Sequence, residues 1–195
     1  MITAGLTGNI GSGKTMVSSI FNVLGIPVYH ADQESKKFLG DDAVRRRILE
    51  FFGQKVFTGE GEIDRKALAG IVFNDAAALR KLNDILHPLV RDDFREWTSH
   101  RSGCYVIHEA AVIIESGFRN EFDQIIHVSC PAGIAIDRVT LRDSVSRDEV
   151  LRRMQFQMED EKKAALSDFV IRNDGSEMVI PQVLAIHHKL LNISQ

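Results

Sequence analysis

With 195 residues, 44% hydrophobic and 26% charged, the chain has the make-up of a globular protein: one domain, or one domain carrying an insertion. Its formal net charge of −3 argues against a global nucleic-acid-binding surface, so any basic site must be local. There is no basic leader with an apolar core and no apolar run of about 18 residues, and Cys104 and Cys130 lie far apart in apolar segments. The pattern predicts a cytoplasmic chain with reduced core thiols, no disulfide framework, and neither a membrane nor a nucleic acid as partner.

In chain order, Ile2 to Leu6 reads as a short buried strand running into Thr7-Gly8. Gly8-Asn9-Ile10-Gly11-Ser12-Gly13-Lys14-Thr15 fits G-x-x-x-x-G-K-[ST], the phosphate-binding P-loop. Its glycines allow positive φ and close backbone approach, and the helix starting near Gly13 adds the positive end of its dipole. Asn9, Ile10, Gly11, Ser12, Gly13, Lys14, Thr15 and Met16 form the expected nucleotide-binding set. Lys14 reaches the β- and γ-phosphates, and Thr15 offers its hydroxyl to Mg²⁺. The helix carries Val17, Ile20, Phe21 and Leu24 on one face and ends at Gly25. A second strand, Ile26 to Tyr29, leads to His30-Ala31-Asp32. By position alone, Asp32 is equally a strand-end carboxylate with a chemical role and the cap of a helix starting near Gln33.

From there to about His100 the periodicity is helical, too long for a plain crossover, and predicts an inserted substrate-binding subdomain over 33–100. Val44, Ile48, Leu49 and Phe52 form one apolar stripe, and Leu68, Ile71 and Val72 another after Asp64. A long helix follows Asp75, with a kink or break expected at His87-Pro88. The third strand, Cys104 to Ile107, closes on His108-Glu109, where an acid could help hold hydrated Mg²⁺. Gln124 to Cys130 is the fourth strand and Phe169 to Ile171 the fifth, with a final helix opening at Ser176.

Between them a helix from about Ala132 to Arg142 carries Arg138 and Arg142 on one face, and Ser146 to Glu149 forms a capping box for the next. Arginine forks suit phosphate, so Arg138 and Arg142 are read as part of a lid over about 138–165, whereas Arg152 and Arg153 are read as solvated and paired with nearby glutamates. The fold expected is α/β: a P-loop NTPase-type parallel five-stranded sheet flanked by helices, formed by 1–32 and 101–195, with the inserted helical subdomain and a helical lid. Phosphoryl transfer needs a phosphate cradle, a cation, an orienting base and exclusion of water, and the chain offers each. A guanine-reading N-K-x-D is absent, which argues against a GTPase switch. A nucleoside or nucleotide monophosphate kinase fits the same parts as well as any other small-molecule kinase.

Together, several segments resemble one family, dephospho-CoA kinase. They are Gly5 to Thr15, Leu24 to Val28 with Ala31-Asp32, Phe52-Gly53, Asp64 to Ala69, Val72-Phe73, Leu86-His87-Pro88, Glu115, Arg138, Arg142, Gln157 and Ser167 to Ser176. The resemblance implies ATP-dependent phosphorylation of the ribose 3′-hydroxyl of dephospho-coenzyme A, the last step of coenzyme A synthesis; the chain is expected to use ATP with Mg²⁺ and to act as a monomer or weak oligomer. It implies that Asp32 is the acceptor-side general base, that Lys14, Arg138 and Arg142 serve catalysis, and that Arg65, His87 and Glu115 belong to the acceptor site. Asn173 is implied to lie near the adenine. His30 stands where the family has the first Asp of Asp-Ala-Asp, which leaves the role of His30 open.

Overall fold

The computed structural model describes residues 1–194, which divide into two compact units: Met1–His30 with the chain from His100 onward, and Ala31–Ser99.

In the first unit, β1 (Ile2–Thr7), β2 (Val28–His30), β3 (Tyr105–Glu109), β4 (Gln124–Ser129) and β5 (Phe169–Arg172) form one sheet in the order β2-β3-β1-β4-β5, every pair parallel. The strands are runs of apolar residues, as expected where both faces of a parallel sheet are covered. On one face α1 (Lys14–Val23) and α9 (Val179–Ile193) bring Val17, Phe21, Val183, Ile186 and Leu190 into a cluster with Leu6, Ile107, Ile126 and Ile171. The carboxyl ends of the strands share one edge, with Leu6 and His30 both in register with Glu109, and Ser129 with Arg172. This edge is where open α/β sheets place ligands.

The end of α1 follows the expected glycine. Gly25 has φ +80°, its N–H donates to Asn22 O at 3.0 Å, and the Ile26 N–H donates to Phe21 O at 3.0 Å, closing a Schellman pair. Downstream lie α6 (Ala132–Asp143), α7 (Arg147–Met154) and α8 (Asp160–Ala165). Ser146 caps α7 by accepting from the Glu149 N–H at 3.2 Å, as its sequence predicts. Two expectations need correction. Ser176 does not open the last helix: its N–H and hydroxyl both turn back onto Asp174 Oδ1, and α9 starts at Val179. Cys130 is buried, but Cys104 precedes β3 and is exposed, so only one thiol belongs to the core.

The second unit is helical: α2 (Ala31–Phe38), α3 (Asp42–Phe52), α4 (Arg65–Val72) and α5 (Ala76–Ser99). Asp41 and Asp64 cap α3 and α4 through their carboxylates. Val44, Ile48, Phe52, Leu68, Val72 and Ile85 form its core, whereas Leu49, expected on the same stripe, is 43% exposed. Pro88 does not break α5, which runs through it for 24 residues. Leu82, Ile85, Leu86 and Leu89 flank the proline on both sides and pack on this core, which outweighs the one helical hydrogen bond that proline removes. The sequence pattern put the borders of this segment at 33 and 100; the division by contacts sets them at Ala31 and Ser99.

Candidate active site

The phosphate loop leaves β1 at Thr7 and enters α1 at Lys14. Gly11 and Gly13 hold φ of +79° and +96°. A Cβ on Gly11 would stand 2.3 Å from Ala135 O in α6, and one on Gly13 would stand 2.2 Å from Asn173 Nδ2. Gly13→Ala therefore combines a left-handed backbone with a collision, and is expected to weaken nucleotide binding at least tenfold, on the order of what a loop displaced by about 1 Å loses. Titration with ADP checks it.

The start of α1 suits an anion. It has no side-chain cap and no acidic residue in its first turn. The Lys14 ammonium donates to Gly8 O at 2.8 Å, which keeps the charge at the loop. Ser12 Oγ is buried without a hydrogen-bond partner, a polar atom that a phosphate oxygen would satisfy. Not every residue of the expected binding set offers its amide, however. Ile10 N–H donates to Gln157 Oε1 at 2.9 Å, and the Ser12 and Met16 amides donate to Asn9 O and Gly13 O at 3.0 Å each. The Asn9 side chain donates to Met158 O at 3.1 Å and so braces the loop.

Asn173 and Arg138 brace it from the other side. Asn173 Nδ2 donates to Ser12 O at 2.7 Å, and the Arg138 guanidinium donates to Asn173 O at 3.0 Å and contacts Cys130 Sγ at 3.4 Å. Arg138 is thus anchored in α6, a helix in contact with Gly11. Arg142, one turn on, is more exposed and pairs with the neighbouring Asp143 at 2.7 Å. Hydrogen bonding to Asp143 holds its guanidinium above the ordinary arginine value. Arg153 pairs with Glu149, as expected for a solvated face.

Behind the loop lies a polar layer that periodicity does not reveal. His127 on β4 is fully buried and bonds Asp160 Oδ1 at 3.0 Å, while the Ser129 hydroxyl donates to Asp160 Oδ2. Burial pushes the Asp160 carboxyl up, but the hydrogen bonds from His127 and Ser129 outweigh this and hold it below the usual range. Its folded value lies below its unfolded one, so the stabilisation is complete above the ordinary carboxylate pKa and disappears as pH falls through the folded value. Asp160→Asn is expected to cost about 2 kcal/mol at neutral pH, the worth of a hydrogen bond to a charged group. In denaturant titrations the difference from wild type should close below about pH 4.

At the end of β2 and β3, His30 Nδ1 and Glu109 Oε2 are 2.8 Å apart, so the strand-end acid has an imidazole partner. His108, next to the end of β3, is buried against Tyr29 and Phe122, and burial pushes its pKa down to about 3, which keeps it neutral. Asp32 is the second residue of α2; the helix begins at Ala31, so Asp32 is a first-turn acid and not the cap. Arg65 is exposed at the first position of α4, and His87 lies half-buried within α5. Burial lowers the His87 pKa, with Asp84 opposing. Glu115 faces the protein: its Oε1 accepts from Met158 N–H at 2.9 Å and from Lys163 Nζ at 2.6 Å. Among the described residues no cluster of three or more His, Cys, Asp or Glu could cage a metal, and no helix is long and apolar enough to cross a membrane.

A parallel sheet in this order, with a glycine loop feeding an uncapped helix and an anchored arginine beside it, defines a P-loop kinase. Residues 2–178 match the family model described as CoaE: Dephospho-CoA kinase. The dephospho-CoA kinase of Bacteroides fragilis (strain YCH46) is 40% identical over 95% of this chain and 91% of its own. The crystal structure of TT1252 from Thermus thermophilus superposes with a TM-score of 0.85 at 32% identity, covering 97% of each chain. Dephospho-CoA kinase from Campylobacter jejuni superposes with a TM-score of 0.67 at 26% identity over 99% of this chain and 98% of that one. The chain belongs to the dephospho-CoA kinase family.

Proposed function

We propose that this protein transfers the γ-phosphoryl group of ATP to the ribose 3′-hydroxyl of dephospho-coenzyme A, completing coenzyme A in the cytoplasm, and acts as a monomer or weak oligomer. The observation that carries the reading is the family match across residues 2–178, which spans the phosphate loop and the whole helical segment.

The roles follow from the chemistry. Amides of the loop and the Lys14 ammonium bind the β- and γ-phosphates and stabilise the charge that builds as the bond to ADP breaks. The Thr15 hydroxyl, in the first turn of α1, would hold Mg²⁺. Bound there, the ion would neutralise the charge of the triphosphate, and a metal held mainly by phosphates and water needs no protein cage. Asp32 takes the proton of the acceptor hydroxyl and orients its oxygen for in-line attack. Arg142 turns from Asp143 towards the transferred phosphate, while Arg138 keeps Asn173 on the loop beside the nucleotide. The helical unit receives the acceptor, with Arg65 and His87 among its contacts.

A coupled assay of ADP release tests the reading across dephospho-coenzyme A, adenosine, AMP, CMP and shikimate, each with and without Mg²⁺. Turnover is expected with the first and only with the metal. A preference for AMP or CMP would overturn the assignment in favour of a nucleotide kinase.

A further inference from the structure

Lys163 is fully buried, in a chain whose other lysines and arginines reach solvent at least in part. Its ammonium donates to Glu115 Oε1 at 2.6 Å and to Ala111 O at 3.0 Å. Burying such a pair stabilises a fold no better than apolar side chains of the same size would, because desolvation offsets the attraction. The distinctive feature of the pair is what it holds. The same Glu115 oxygen accepts the Met158 N–H at 2.9 Å, and Met158 O in turn accepts from Asn9 Nδ2 at 3.1 Å. Next to Met158, Gln157 Oε1 accepts the Ile10 N–H at 2.9 Å. Ala111 O, the second acceptor of Lys163, also accepts from the Thr7 hydroxyl at 3.1 Å. Thr7, Asn9 and Ile10 lie within the four residues before Gly11, whose left-handed backbone shapes the phosphate loop.

We propose that the Lys163–Glu115 pair is a positioning device for the phosphate loop: it fixes the Gln157–Met158 turn, and that turn holds Asn9 and Ile10 in the conformation that binds nucleotide. The inference rests on the assignment of the loop as the ATP site. Lys163 and Glu115 touch no reacting atom and act through Gln157 and Met158. Of the other charged groups on α8, Asp160 is engaged by His127 and Ser129 and Lys162 pairs with Glu159, so Glu115 is the partner that orients the ammonium.

The test separates positioning from plain stability. Lys163→Met alone leaves the Glu115 carboxylate buried and unpaired and is expected to melt well below wild type. The double variant Lys163→Met with Glu115→Met removes both charges and should recover the melting temperature, yet it leaves the Met158 N–H without its acceptor. For this variant calorimetry with ADP is expected to give a dissociation constant raised about tenfold or more, the scale on which a small displacement of a binding group acts. Gln157→Ala, which leaves the charge pair intact, should raise the ADP constant in the same direction. Wild-type ADP affinity in Gln157→Ala, or recovery of affinity together with stability in the double variant, would overturn the proposal. Since ADP binding is read without an acceptor, an error in the acceptor's identity would appear in the turnover assay and leave this result standing.

Discussion

Lys14→Ala is expected to lower kcat/KM for ATP by roughly 10²–10³-fold, the loss seen when one preorganised charge-stabilising group is removed. The structure gives a reason to expect both binding and rate to fall. The ammonium is held at the loop by Gly8 O, 2.8 Å away, so it need not be recruited from solvent when nucleotide arrives. A charge that is preorganised costs little reorganisation at the moment of transfer, and its loss is felt more strongly as negative charge shifts towards the leaving oxygen. Initial rates over a range of ATP at saturating acceptor, with ADP calorimetry alongside, separate the two contributions. Kinetics equal to wild type would remove Lys14 from the phosphate site. Lys14→Arg should not restore activity, because the planar fork cannot occupy the place of a compact ammonium beside Gly8.

Asp32→Asn should leave ADP affinity as it is and reduce turnover by roughly 10²–10⁴-fold, the range for a general base. Asp32 lies in the first turn of α2, two residues beyond the end of β2, and is exposed. The amide keeps the shape and much of the hydrogen bonding but cannot take a proton, so the substitution isolates proton transfer from packing. The measurement is kcat at saturating substrates, with thermal melting as the control for folding. Near-normal kcat would remove Asp32 from proton transfer.

The sheet and the phosphate loop were legible because each rests on local rules. Short apolar runs bounded by glycine specify buried parallel strands, and the glycine spacing specifies the loop whatever lies around it. Gly25 and Ser146 were readable as helix ends for the same reason. The continuity of α5 through Pro88 was not, since it depends on a core assembled from residues remote in sequence. Arg138 illustrates the same limit at the site. Its spacing from Arg142 puts both on one face of a helix, but only the fold reveals that one is fastened to Asn173 and the other to Asp143. Lys163 lies in a charged run, and its partner Glu115 stands 48 residues earlier, a pairing that no local pattern announces.

All five strands lie outside Ala31–Ser99, and that stretch is continuous in sequence and gathers an apolar centre of its own. Exchanging it for the corresponding stretch of a relative would leave every rung of the sheet ladder and the glycine loop written by unchanged residues. An acceptor preference residing in that stretch, as proposed, would then be exchangeable by chimera construction without rewriting the strands or the glycine loop, provided the incoming segment keeps an acid at the position of Asp32.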